Sequence, residues 1–152
     1  MPYDPNQPHG NYPATAAEVL DPPMRFKPRV LAAMERFKAA KPWRGTIDER
    51  KAKFLALHDA LNGIYRENVR LDFDIPEDRE TPTGNGCFYP TEELIVLEGK
   101  LSVITYLHEW AHAIHGPDER YAVRYSLNLY RRFWPRLFER MQFNGHVARA
   151  GR

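Results

Sequence analysis

The sequence predicts an α+β fold. N-terminal helices come first, then a small, mostly antiparallel three-stranded sheet, then a helix carrying a His-Glu-x-x-His motif, then C-terminal helices. Three observations predict this. Apolar residues recur at helical spacing through 28–40 and 47–65. Residues 69–75 alternate apolar and polar, and 93–97 form a dense apolar, β-branched run. Beyond Gly99 the helical spacing returns through Leu101, Val103, Ile104, Leu107, Ala111 and Ile114.

The segment 1–27 reads as a proline-rich tail, flexible or draped over the domain. Pro2, Pro5, Pro8, Pro13, Pro22 and Pro23 forbid a long helix or a central strand. Tyr3, Tyr12, Val19, Leu20, Met24 and Phe26 are candidate anchors for draping, and 14–20 has room for a turn of helix. The domain proper spans 28–144. Pro28 suits the first position of a helix whose buried stripe is Val30, Leu31, Met34 and Phe37, ending at Lys41-Pro42. Thr46-Ile47-Asp48-Glu49 is a capping-box pattern, opening a second helix with Phe54, Leu57, Leu61, Ile64 and Tyr65 inside. Gly63 falls off that stripe, and His58 reads as a polar flank with no partner at metal spacing.

Strands are expected at 69–75, at 87–89 and at 93–97, the last two joined across Pro90-Thr91-Glu92. The motif helix runs from about Ser102 to His115. Gly116 is placed to end it in a left-handed conformation, and Pro117 to begin the next helix. That helix carries Ala122, Tyr125, Leu129, Tyr130 and Phe133 on one side and breaks at Pro135. A short helix from Leu137 to about Phe143 follows, and 145–152 reads as a frayed tail.

A chain of 152 residues with 43% hydrophobic content has the size and the apolar material for one domain. The single cysteine, Cys87, rules out an intramolecular disulfide and a cysteine-based zinc site, and it fits a reducing compartment. No stretch approaches the roughly 18 apolar residues of a membrane span. No basic-then-apolar start marks a secretory signal. The expectation is a cytoplasmic protein without a membrane partner. A net charge of +2 is no nucleic-acid signature, but the charge is uneven. Asp72, Asp74, Glu77, Asp78, Glu80, Glu92, Glu93 and Glu98 make the middle acidic. Arg120, Arg124, Arg131, Arg132, Arg136, Arg140, Arg149 and Arg152 later face only Glu139. A solvated helix face explains that excess most simply; an anionic partner such as nucleic acid is the alternative.

His108-Glu109-Trp110-Ala111-His112 carries the chemistry. Residues four apart share a helix face, so His108 and His112 can grip one metal ion. Glu109 then stands beside that ion as the general base for a metal-activated water. A chance match to the pattern in a chain of this composition has a probability of about 2%, so the motif needs its amphipathic helix to carry weight. Trp110 is assigned to packing. A catalytic zinc takes three protein ligands and keeps one position open. Glu119 is the first candidate for the third, because the Gly116-Pro117 corner can turn its carboxylate back over the motif helix. Asp118 is a second candidate, with capping or support of a ligand imidazole as its other roles. His115 and, further away, His146 complete the set.

The order of helix, strands, motif helix and acid-bearing helix resembles the minimal zincin metallopeptidase core. Within it, His108-Glu109-Trp110-Ala111-His112-Ala113-Ile114-His115 followed by Asp118-Glu119-Arg120-Tyr121-Ala122-Val123-Arg124-Tyr125-Ser126 resembles the ImmA/IrrE-like peptidases, over about residues 69–135. The resemblance implies zinc held by His108, His112 and an acid, with Glu109 as catalytic acid/base. This chain departs from the family where a Glu commonly precedes the Ala: Tyr121 stands there, and Glu119 lies three residues before Ala122. A protein or peptide substrate is implied, added as a strand to the edge of 87–89 or 93–97. Tyr121 and Arg124 are the candidate oxyanion stabilisers, and Tyr125 belongs to the apolar stripe. The competing reading is a non-catalytic module that binds nucleic acid or an acidic protein through the arginine-rich C-terminal helices.

Overall fold

The computed structural model describes residues 20–73, 86–143 and 148–150. Expected features at Tyr3, Tyr12, Val19, the turn before Leu20, the acidic loop 77–85 and His146 lie outside the described residues. Helix α1 is Pro28–Ala39, and α2 is Ile47–Tyr65. Both predicted starts hold. Pro28 opens α1, where its missing N–H costs nothing. At α2 the Thr46 hydroxyl accepts from the Glu49 N–H at 3.2 Å while the Glu49 carboxylate accepts from the Thr46 N–H at 3.0 Å. Val30, Ala33, Met34 and Phe37 of α1 are buried, as are Phe54, Leu57 and Leu61 of α2.

The strands are β1 (Arg70–Asp72), β2 (Gly86–Tyr89) and β3 (Leu94–Leu97), in the order β1-β3-β2. β2 and β3 are antiparallel, pairing Cys87 with Val96 and Phe88 with Ile95. β1 runs parallel to β3, with Leu71 opposite Ile95. The sheet is therefore mixed, where a mostly antiparallel one was expected. The connection 73–85 is long enough for β2 to take an outer position and return through a tight turn, which leaves β3 central. That turn closes with the Glu93 N–H donating to the Pro90 carbonyl at 3.2 Å. β3 is buried along its whole length, as a central strand covered by helices must be.

The motif helix, α3, spans Val103–His115, and the Ser102 hydroxyl caps it by accepting from the Thr105 N–H at 3.2 Å. Gly86 fixes how closely the sheet approaches this helix. A Cβ there would stand 2.9 Å from the Val96 carbonyl and 3.0 Å from the Thr105 methyl. Gly116 ends α3 at φ 110°, a region that favours glycine, but its ψ of −162° is extended rather than left-handed helical. Pro117 does not begin the next helix. Asp118 is the N-cap of α4, Glu119–Phe133, and its carboxylate accepts from the Tyr121 N–H at 3.3 Å.

Pro135 breaks the chain as expected, and opens α5, Pro135–Glu139. The expected helix to Phe143 stops there. Residues Met141–Phe143 form β4 instead, paired antiparallel with β5, Ala148–Ala150, so part of the expected frayed tail is strand. The core lies where α3 meets α4, with α1 and α2 packed over it. Tyr106, Leu107, Trp110 and Ala111 of α3 and Ala122, Tyr125 and Leu129 of α4 are at most 1% exposed. Residues 20–27 drape over this core. Leu20 packs on Val123 and Leu127, while Met24 and Phe26 join the main cluster. None of the described helices is long and apolar enough to cross a membrane.

Candidate metal centre

Two features of the backbone assemble the site. The α-helical step of 100° per residue puts His108 and His112 on one face, about 6 Å apart along the axis. The Gly116-Pro117-Asp118 corner then reverses the chain, so that α4 packs back along α3 and its first residue, Glu119, arrives beside both rings. The Glu119 carboxylate lies between them. Its Oε2 is 3.0 Å from His108 Nε2 and its Oε1 is 3.0 Å from His112 Nε2. All three side chains are largely buried, with 11–17% of each exposed. His112 Nδ1–H donates to the Gly116 carbonyl at 2.9 Å, which aims Nε2 at the carboxylate. The chain thus brings His108, His112 and Glu119 together, and their ligand atoms, all within 4.8 Å of one another, could hold a metal ion. Among the described residues this is the single such group of His, Cys, Asp and Glu.

The electrostatics follow from burial and from the shared carboxylate. Burial disfavours the charged form of Glu119, but hydrogen bonds and charge from His108 and His112 outweigh it and hold the carboxyl far below its usual range. Burial likewise pulls His112 down, yet the Glu119 hydrogen bond and charge, the Gly116 carbonyl and Glu109 carry it up to about 9. Glu109 sits half-buried on α3. Burial pushes its carboxyl above the ordinary range, and Glu119 adds to that, while the two histidines and a hydrogen bond from the Phe88 N–H oppose it. A carboxyl raised toward neutrality is the kind that can both take and return a proton.

The remaining candidates are placed elsewhere. Asp118 caps α4 and is not among the three clustered groups. His115 is also outside them: it lies about 10 Å from His108 along the helix axis, exposed, with its ring stacked on Tyr121 at 3.7 Å and 16°. Tyr121 is therefore a wall beside the end of α3. Arg124 is engaged away from the pair of histidines, donating to the Pro22 carbonyl at 2.5 Å and the Asp21 carbonyl at 3.4 Å. It ties down the draped segment rather than facing the cluster. Tyr125 is core, 1% exposed, with its hydroxyl 3.0 Å from that of Tyr65. Arg120, Arg131, Arg132, Arg136 and Arg140 are exposed.

His58 is no polar flank. It is 5% exposed and bridges three elements. Its Nε2–H donates to the Val69 carbonyl before β1, and its Nδ1 accepts from the Tyr106 hydroxyl of α3, both at 2.7 Å. Burial lowers its pKa, keeping the ring neutral, as that tautomer requires. Trp110 packs, as expected, against His58 and Tyr65, although its indole N–H has no hydrogen-bond partner among the described residues. Three groups at the site had no signal in the sequence: the Phe88 N–H on Glu109, the Gly116 carbonyl on His112, and Cys87. The Cys87 thiol lies half-buried near Glu109, and burial and that carboxylate push it up to about 11. Backbone groups carry no side-chain signature, and a lone cysteine in a strand has no spacing to read. No protein-family model matches the chain, and neither a curated protein nor a solved structure was found to match it.

Proposed function

We propose that this protein is a small zinc-dependent peptidase of the zincin type, as the likeness of its motif to the ImmA/IrrE-like peptidases implies, acting in the cytoplasm on protein or peptide substrates. The observation that carries the reading is the convergence of both motif imidazoles on Glu119 with Glu109 on the same helix. The donor set suits zinc. Two imidazoles and one carboxylate are a known catalytic ligand set, and tetrahedral bonds of 2.0–2.1 Å put ligand atoms about 3.3 Å apart. The two 3.0 Å contacts run to different oxygens of the Glu119 carboxylate, and one ligand atom from each residue lies within 4.8 Å of the others, so small side-chain adjustments would close the set on one ion.

Zinc bound there would supply a Lewis acid, acidifying water and polarising a carbonyl. The protein's own groups do the rest. His108 and His112 present Nε2, the latter oriented by Gly116. Glu109 takes a proton from the attacking water and returns it to the leaving amide nitrogen, for which its raised pKa is suited. Of the two strands proposed for substrate, β3 is paired on both sides, so the reading takes β2, an outer strand of the described sheet. Phe88 on that strand reaches Glu109, so a peptide paired along β2 would lie next to the base. The test is Glu109→Gln with zinc content and hydrolysis of unfolded casein measured together. Zinc should be retained and the rate should fall by about 100- to 10,000-fold. Equal cleavage by wild type and variant would sink the mechanism.

A further inference from the structure

At the opposite end of α3 from Gly116 lies a groove of about 470 Å³ between the loop after α1 and the start of α3. Its lining is mainly apolar: Ile104 and Met141 are partly exposed beside the nearly buried Leu101 and Val103, and Trp43 lines it as well. Among the described residues, the charged ones that line it are Arg50 and Lys100, with no Asp or Glu. The N-terminal end of the 13-residue α3 also opens here, adding the positive pole of its dipole. The groove is thus mainly apolar, and its charge is cationic.

The walls are held in place. The Arg50 guanidinium donates to the Pro42 carbonyl at 3.4 Å and to the Lys100 carbonyl, clamping the two loops to each other. Trp43 packs edge-on against Trp134 at 5.1 Å, yet 42% of it stays exposed. A large aromatic fixed in position with an open face loses little entropy when a partner covers it. Ile104 and His112 are eight residues apart, about 12 Å along the helix, so this groove is not the metal centre.

We propose that this groove docks a segment of a partner protein that carries an apolar anchor residue flanked by carboxylates. Charge complementarity selects the acidic flanks: two cations and a helix N-terminus face the groove, with no acid among its described lining residues. The apolar lining selects a peptide side chain. A nucleic-acid strand would need a longer cationic track and more aromatic stacking surface than Trp43 offers. The docking is independent of whether the metal centre is catalytic.

The test is a selection of a random dodecapeptide library on the full-length protein, followed by mapping of the enriched peptides on its backbone-amide NMR spectrum. Enriched sequences should place Asp or Glu beside Leu, Ile, Phe or Trp. Their binding should shift the amides of Leu101 to Ile104 and the Trp43 indole, and weaken severalfold between 50 and 300 mM salt. Lys100 is exposed in a loop, so Lys100→Glu should fold normally and weaken binding about tenfold or more. Enrichment of no acidic-apolar sequence, shifts confined to other surfaces, or unchanged affinity in Lys100→Glu would each overturn the proposal. So would a 12-residue thymidine oligonucleotide that shifts the same signals and displaces the peptides.

Discussion

Zinc loading at pH 7.5 should release about one proton per ion, and the proton should come from His112. With both Nε2 atoms facing the Glu119 carboxylate, His112 titrates near 9. At pH 7.5 such a group is about 97% protonated, whereas an ordinary histidine near 6.5 is about 9% protonated. A metal ligand must give up that proton, so apparent zinc affinity at pH 7.5 should be about 30-fold below its alkaline limit and should rise about tenfold per pH unit up to 9. The same pairing makes the metal-stripped protein pH-dependent. His112 has a folded pKa above its unfolded one, so its contribution is complete below pH 6.5 and is lost as pH rises through about 9. That shift corresponds to about 3 kcal/mol. Glu119 is depressed, so the contact viewed from its side is present above about pH 4.5 and lost as pH falls through the folded value. It is one interaction and counts once. The assay is calorimetric titration of zinc in buffers of different ionisation enthalpy, on wild type and Glu119→Gln. The variant should bind zinc more weakly and release almost no proton. Release below about 0.2 proton by wild type at pH 7.5 would refute the reasoning, since His112 would then be neutral beside Glu119.

Two further expectations concern the frame around the site. Gly86→Val should destabilise the protein by about 1–3 kcal/mol in urea unfolding, because the new Cβ meets the Val96 carbonyl and Thr105 at 2.9 and 3.0 Å; an unchanged midpoint would mean that β2 does not rest on α3 this closely. His58→Ala should cost about 2–4 kcal/mol by leaving the buried Tyr106 hydroxyl unpaired and opening a cavity beside Trp110. Near-wild-type stability there would show that the α2–α3 bridge is unimportant.

The local pattern determined much of this protein. Helix starts at Pro28 and Thr46, the break at Pro135 and the pairing of His108 with His112 were all legible, because caps, proline and the 3.6-residue repeat act within a few residues. Glu119 could be ranked first among the acids because a glycine-bearing corner can return the chain. That its carboxylate meets both imidazoles depends on the packing of α4 along α3, a contact between whole helices that residue spacing does not encode. The sheet shows the same division. Alternation marked β1 and a dense apolar, β-branched run marked β3, but their parallel pairing and the outer position of β2 are contacts between separate elements that residue spacing does not encode. His58 read as polar because no ligand partner stood near it in sequence, and only the fold brings Val69 and Tyr106 to its two nitrogens. Arg124, offered as an oxyanion donor by sequence proximity, is drawn instead to the carbonyls of residues about a hundred positions away. Proximity in sequence assigns chemistry where one helix holds all the parts; where the partners come from separate elements, burial and packing choose them.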